Sequence, residues 1–429
     1  MQPFAGKRFA IVGLGRAGLP AARRLRELGA ELVLWDDDEA SREAASGEQF
    51  VLSRPSKAGR AFDALLLSPG IPHRLPKPHS EAVWALEHDI PILTDAELLY
   101  QAVRALGSKA RFAGITGTNG KSTTTALLAH ILTVAGVPNA AGANLGPAAL
   151  ALPLLPDNGV YVLEMSSYML ERLATLRFDV AAMLNLSPDH LDRHGDMAGY
   201  EAAKQEIFAR QDSGCTAIVG IDDEASRAMA ARLCIRPAKV IEISGKDHET
   251  GAEALRGEHN AQNALAAAAL ARVLDVPDAA IAEGIRTFPG LEHRAQQVAI
   301  REGVRFINDS KATNADAASR AMGVFERFVW IAGGVSKAGG IDELAPFFPR
   351  IEKAFLIGRD GEAFASRLSE AGVANDYVET LEKAVPAAFD AARSGCRVVL
   401  FSPATASFDQ FPNFEKRGER FTALAKGEM

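Results

Sequence analysis

Ten residues, GITGTNGKST at 114–123, gather the groups that hold a polyphosphate. Gly117 and Gly120 let backbone N–H groups turn inward, Lys121 brings a cation, and Ser122 offers a hydroxyl to Mg²⁺, with Thr118, Asn119 and Thr123 completing the loop. The spacing departs from the common phosphate loop, because the glycine expected five residues before Gly120 is replaced by Ile115. A turn without a ligand has little need of a Gly-Lys-Ser-Thr run, so the nucleotide reading outweighs the plain turn. A Mg–phosphate site needs further oxygen ligands, and two later strand ends supply candidates. YVLEMSS delivers Glu164, and LNLSPDHLDRH delivers Asp189, His190 and Asp192. Singly, each is an ordinary surface carboxylate or turn histidine; their common position at strand ends argues for one shared site.

A second glycine loop lies near the N-terminus. Gly13, Gly15 and Gly18 spell G-x-G-x-x-G between a strand pattern and a helix pattern, and Asp36 ends the next strand at the distance of a ribose-binding acid. This is a dinucleotide fingerprint, with a tight packing turn as its plain alternative. LLLSPGIP adds another strand-end loop at 68–71.

The elements that must position these groups are short apolar runs ending in turn residues, each followed by a helical pattern. RFAIVG, ELVLWDDD, ALLLSPG and IPILTDAE form one series; ARFAGITG, GVYVLEMSS, DVAAMLNLS and CTAIVG, with the helical NAQNALAAAALARVL, form a second; RFVWIAGG, KAFLIG and CRVVLFSP form a third. Strands alternating with helices predict parallel sheets. The expectation is three α/β units at 1–105, 106–291 and 292–429.

At 429 residues the chain exceeds one ordinary core. A net charge of −7 argues against a broad nucleic-acid surface and leaves room for small anions held by local donors. Cys215, Cys234 and Cys396 are scattered without a CxxC pair, which fits a reducing compartment. No stretch reads as a secretory core or a membrane span, so a cytoplasmic protein that engages no membrane is expected.

The short G-T-N-G-K-S-T loop resembles that of the Mur ligases, a family of ATP-dependent amide-forming enzymes of peptidoglycan synthesis. Further similar stretches follow in order: EMSSYML, LNLSPDHLDRH, YEAAKQEIF, GEHNAQNALAA, His293-Arg294, NDSKATN at 308–314 and LFSPATASFDQFPNFEKRGERF. The resemblance implies an N-terminal Rossmann-like domain for the UDP end of a substrate, a central P-loop ATPase with a mostly parallel sheet, and a C-terminal Rossmann-like domain that binds the amino acid and closes over ATP. It reassigns the first glycine loop from NAD to UDP. Within the family, NDSKATN points to addition of D-glutamate to UDP-N-acetylmuramoyl-L-alanine, and a sister ligase adding L-glutamate or another amino acid is the nearest alternative. A monomer is expected.

The resemblance also implies roles. Lys121 stabilises the β/γ-phosphates; Ser122 and Glu164 hold one Mg²⁺, and His190 helps hold a second. Lys204 in YEAAKQEIF matches a lysine that the family carbamylates, making it a metal ligand. From the residues alone, Lys204 reads as a helix-surface lysine paired with Glu201 at i−3. Asn263, Arg294 and Asp309 belong with the phosphate loop as ATP contacts. Gly15, Arg16, Ala17, Asp36, Asp37, Gly70, Asn144 and Ser166 map to the UDP-substrate, and Lys311, Thr313, Lys337, Ser407, Phe408 and Phe414 to the incoming glutamate. Departures from the family pattern occur at Met169, where Gln is usual, at Val335, where an acid is common, and at Phe408, where Leu is usual. WDDDEA lacks a Thr-Arg pair used near uracil by some members, which makes Asp36 and Asp37 weak UDP contacts. From other classes, the first loop alone suggests an NAD-dependent oxidoreductase, and the fold alone would suit a non-catalytic nucleotide-binding regulator. The joint presence of Lys121, Glu164, His190 and Lys204 argues against the regulator.

Overall fold

The structure, a computed structural model, describes residues 2–428 apart from 60, 256 and 337–339. The expected glutamate contact Lys337 therefore lies outside the described residues. Three sheets form. The first has strands β1 (Arg8–Val12), β2 (Glu31–Trp35), β3 (Ala64–Leu67) and β4 (Ile92–Leu93) in the order β2-β1-β3-β4, all parallel. The second has β5 (Arg111–Thr116), β6 (Asn139–Ala143), β7 (Val160–Glu164), β8 (Val180–Met183), β9 (Thr216–Gly220) and β10 (Lys239–Ile243), ordered β10-β9-β8-β5-β7-β6 and again parallel.

The third contains β11 (Gln296–Arg301), β12 (Val304–Asn308), β13 (Phe328–Gly333), β14 (Ile351–Ile357), β15 (Asn375–Glu379) and β16 (Val398–Phe401), ordered β11-β12-β16-β13-β14-β15. Only β11 runs antiparallel to its neighbour among these pairs. The chain divides into two compact units, one ending at Phe288 and one beginning at Pro289. The first two sheets share the first unit.

Unbroken apolar runs explain the parallel interior. ALLL in β3, VYVLE in β7, TAIVG in β9 and VVLF in β16 are buried at every position, as a strand covered on both faces by helices must be. Edge strands are more polar: KVIEI in β10 and NDYVE in β15 expose charged side chains, which discourages pairing with another chain. In the second sheet, β5 is central, and β7 and β8 flank it. The loops after these three strands open on one edge of the sheet, where ligands of such folds bind.

Helix Asp95–Ala105 fastens the first sheet to the second within the first unit. Glu97 is fully buried, and its carboxylate accepts hydrogen bonds from the Ala174, Thr175 and Leu176 N–H groups, the Thr175 hydroxyl and Gln101 Nε2 at 2.5–3.0 Å. A buried carboxylate is tolerated because its lone pairs are satisfied.

Candidate active site

The loop after β5 needs its glycines. Gly120 has φ +84°, and a Cβ there would stand 2.1 Å from Asn263 Oδ1; Gly117 has φ +147° with Leu184 Cβ 3.1 Å from the same virtual atom. Asn185, at the end of β8, clamps the loop: its Oδ1 accepts from Asn119 N–H at 2.9 Å and its Nδ2 donates to Asn119 O at 3.2 Å, while its carbonyl accepts from Thr118 N–H at 2.9 Å. The Thr118 hydroxyl donates to Ser187 O and accepts from Ser187 N–H. Lys121 Nζ folds back onto Gly117 O at 2.9 Å and Thr118 O at 2.8 Å. Ser122 and Thr123 open the helix Lys121–Val134 and are buried. Asn263 sits behind the loop, accepting from the Thr124 hydroxyl.

Lys204 is where the residues alone mislead. It is buried at 2 % exposure, its Nζ donates to Gly117 O at 2.8 Å, and Glu201 pairs with Arg232 instead. Burial and the neighbouring charge of Lys121 push its ammonium pKa well below the usual lysine range, opposed by Asp189 and Glu164. The same neighbourhood includes His190, whose pKa is lowered by burial, with Lys204 and Lys121 adding to the fall and Asp189 opposing it. His190 takes a left-handed backbone, φ 53°, ahead of the short helix Leu191–His194. Its ring lies 5.0 Å from Tyr168, and its Nε2 is 3.4 Å from Asp189. The fold thus brings Lys121, Lys204, Glu164, Asp189 and His190 into one electrostatic cluster.

Glu164 ends β7 and is buried. Asn144 holds it by a side-chain bond to Oε1 at 2.5 Å and by a backbone bond at 3.0 Å. Its other oxygen, Oε2, is buried with no hydrogen-bond partner among the described residues. Such an orphaned carboxylate oxygen suits a cation, since an unpaired buried acceptor is costly. Among the described residues, no group of three or more His, Cys, Asp and Glu side chains gathers as a metal site.

In the first sheet, Gly13 and Gly18 serve close packing: a Cβ on Gly13 would meet Ser68 at 2.6 Å, and one on Gly18 would meet Gly13 O at 1.8 Å. Gly15 and Gly70 have nothing within 4 Å of that position. A small, shallow recess is lined by Ala17, Gly18, Ser68, Pro69 and Asp95 among others. Asp36 and Asp37 spend their oxygens internally. Asp36 accepts from Leu14 N–H at 2.6 Å and Asp38 N–H at 2.9 Å, and Asp37 engages Trp35 Nε1, Arg54 and His79. The Ser166 hydroxyl caps its own short helix by accepting from Met169 N–H at 3.3 Å. Met169 is buried in the apolar core, a place that suits a thioether better than an amide.

In the second unit, β12 and β16 are neighbours, so their end loops meet. Asp309 follows β12, is 5 % exposed, and accepts from Ala295 N–H at 3.0 Å and the Ser402 hydroxyl at 2.6 Å. Burial raises its carboxyl pKa to about 7, opposed by these bonds and by Arg294. Arg417, which motif reading passed over, ties the two loops together: it donates to Ser310 O at 2.9 Å, the Ser310 hydroxyl at 3.1 Å and Thr405 O at 3.0 Å. Lys311 Nζ lies 5.9 Å from the Phe414 ring centroid. Thr313 is half-buried, Ser407 is buried, and Phe408 beside it is 75 % exposed. Asn185, in the loop after β8, and Arg417, in the helix Phe414–Lys426, fall within the quoted stretches LNLSPDHLDRH and LFSPATASFDQFPNFEKRGERF, but nothing in their local pattern singles them out.

These loops and sheets define a nucleotide-binding α/β protein with a phosphate loop, a buried lysine against it and an orphaned carboxylate beside it. The Mur ligase middle domain matches residues 115–255 and the Mur ligase glutamate ligase domain matches residues 293–405. The proteins named UDP-N-acetylmuramoylalanine--D-glutamate ligase from Caulobacter vibrioides and Paramagnetospirillum magneticum are 46% and 45% identical to this chain. The alignments cover 100% and 98% of it and 97% and 96% of those proteins. The chain belongs to the Mur ligase family. Its fold is similar to that of UDP-N-acetylmuramate-alanine ligase from Thermotoga maritima, at TM-score 0.60 and 18% identity over 98% of this chain and 100% of that one. It is also similar to that of MurF from Acinetobacter baumannii, at TM-score 0.57 and 18% identity over 86% and 92%.

Proposed function

We propose that this chain is an ATP-dependent, ADP-forming ligase that joins D-glutamate to UDP-N-acetylmuramoyl-L-alanine in the cytoplasmic synthesis of peptidoglycan precursors. The observation that carries the reading is the burial of Lys204 against Gly117 of the phosphate loop, in one charge cluster with Lys121, Glu164 and His190. The relatives' names supply the substrates. In this reading, residues 1–105 hold the UDP-substrate, 106–291 bind ATP, and 292–429 bring the amino acid. Among the described residues, no helix is long and apolar enough to cross a membrane.

A carboxylate is a poor electrophile at neutral pH. Attack by the alanyl carboxylate on the γ-phosphorus expels ADP and yields an acyl phosphate. The neutral glutamate amine then adds to the acyl carbon, gives up a proton, and expels inorganic phosphate as the amide forms. Charge develops on phosphoryl oxygens in the first step and on the acyl oxygen of the tetrahedral adduct in the second, so positioning and electrostatics dominate. Lys121 faces the β/γ-phosphates once it leaves the loop carbonyls. Asn263, Arg294 and Asp309 complete the ATP contacts, and Lys311, Thr313 and Ser407 offer cations and hydroxyls to a dicarboxylate.

The donors fit Mg²⁺: Ser122 and the orphaned Oε2 of Glu164 at one ion, and the His190 imidazole at a second. Bound there, the metal would neutralise phosphoryl charge. Lys204 supports the same site. Its lowered pKa favours the neutral amine, whose lone pair can attack CO₂ and release one proton, leaving a carbamate where an ammonium would repel a cation. The test is transfer of a heavy-oxygen label. A label placed in the alanyl carboxylate must appear in the released phosphate; its retention in the peptide product alone contradicts an acyl phosphate.

A further inference from the structure

The loop after β3 is gripped from two sides. On one side, Ser68 Oγ donates to Gly13 O at 2.9 Å and Ser68 N–H donates to Val12 O at 3.0 Å, fixing it to the first glycine loop. On the other side, two arginines from the second sheet's loops take four of its carbonyls. Arg172 donates to Leu67 O at 2.7 Å, Ser68 O at 3.2 Å and Ile71 O at 2.7 Å, and Arg193 donates to Gly70 O at 3.1 Å. Arg193 belongs to the short helix Leu191–His194 that His190 opens. Its guanidinium lies 4.2 Å from the Tyr168 ring, and Tyr168 also lies against His190 and His194. A side chain behind this contact is fixed in turn: His194 bonds to Glu171 at 3.0 Å and Ser167 at 2.9 Å.

We infer that Arg172 and Arg193 are positioning residues: they lock the β3-end loop, which borders the proposed UDP-substrate site, to the His190 element beside the phosphate loop. The inference rests on the ligase reading. A guanidinium fits the task of Arg172 because its planar fork serves three carbonyls at once, whereas Arg193 holds one, which an ammonium could also reach. Burying Arg172 at 3 % exposure is costly, and its partners here are loop carbonyls and His73 Nδ1 at 3.4 Å. The buried charge is thus spent on holding a loop. Substrate that settles against Gly15, Gly70 and the β3 loop would be registered, through these bonds, to the groups that face the ATP phosphate, so the alanyl carboxylate arrives aligned.

The experiment compares wild type with Arg193→Ala, Arg193→Lys and Arg172→Lys in two readouts: amide hydrogen exchange of residues 64–73 in the ligand-free protein, and steady-state kinetics with each of the three substrates varied. Arg193 is only half-buried, so its alanine variant will fold. Expected are faster exchange in that segment and a KM for UDP-N-acetylmuramoyl-L-alanine raised about tenfold, the size of one charge-assisted hydrogen bond. The KM for ATP should stay unchanged, and Arg193→Lys should recover most of the loss. Unchanged exchange in every variant, or an equal rise in all three KM values, overturns the inference. Should wild type show no ligase turnover, the ligase reading fails on that result, while the exchange data alone decide whether the arginines hold the loop.

Discussion

In the proposed function, Lys204 concentrates the chemistry in one side chain. A lysine held out of water, bonded to the backbone of a phosphate loop and close to a second lysine, loses much of its hold on a proton. If Lys204 is the carbamate ligand proposed above, Lys204→Ala should abolish ligase activity, and a short carboxylic acid added to the variant should restore part of it. Full activity in the unrescued variant would contradict the ligand role. Asp309 gives a second prediction. Burial raises its carboxyl from 3.8 to about 7, so between those values the folded protein keeps a proton that the unfolded chain has released. That proton's contribution to stability is present at low pH and lost as pH rises through the window. Asp309→Asn should remove the dependence: its Tm relative to wild type should rise between about pH 4 and about pH 8, and a constant difference would contradict the account.

Which of these residues the sequence reveals depends on whether their work is local. The G-T-N-G-K-S-T loop is legible because left-handed glycines, a cation and a hydroxyl must be contiguous there. Glu164 and His190 are legible as strand-end groups. The burial of Lys204 is not, since it depends on a helix packing under a loop 87 residues earlier in the chain, and the local pattern favours a pairing with Glu201 that the fold does not make. Asp36 looks like a ribose acid by spacing alone; that its carboxylate braces the Leu14 N–H of the glycine loop is not legible from the spacing.

At the scale of elements, the apolar strands of the three series are legible because parallel strands buried on both faces are nearly continuous hydrophobic runs. The polar edge strands β10 and β15, and the Ala- and Gly-rich β6, escape such reading because their pairing is dictated by neighbours rather than by their own composition. Equally hidden is the join made by Glu97, whose partners stand 77–79 positions away. Glu97→Ala should destabilise the protein by about 3 kcal/mol, because several buried N–H groups lose their acceptor together. Urea unfolding will measure it, and a loss below about 0.5 kcal/mol, the range of an ordinary surface change, would contradict the buried join.

For the whole molecule, the division into two compact units matters for the proposed reaction. The phosphate loop with Asn263 belongs to the first unit; Arg294, Asp309 and the candidate glutamate contacts belong to the second. Turnover in this reading draws on both, so binding of ATP together with the UDP-substrate should compact the protein in solution scattering. An unchanged radius of gyration with both ligands bound would count against domain closure. The net charge of −7 also implies that its anionic substrates are held by local cations such as Lys121 rather than by the overall field.

The most direct measurement of the central claim is phosphate release by the purified protein with ATP, Mg²⁺ and UDP-N-acetylmuramoyl-L-alanine, comparing D-glutamate, L-glutamate and no amino acid. Release that requires D-glutamate, with the amide product confirmed by mass, is the predicted result. Release with L-glutamate in its place, or none with either enantiomer, would contradict the proposed activity.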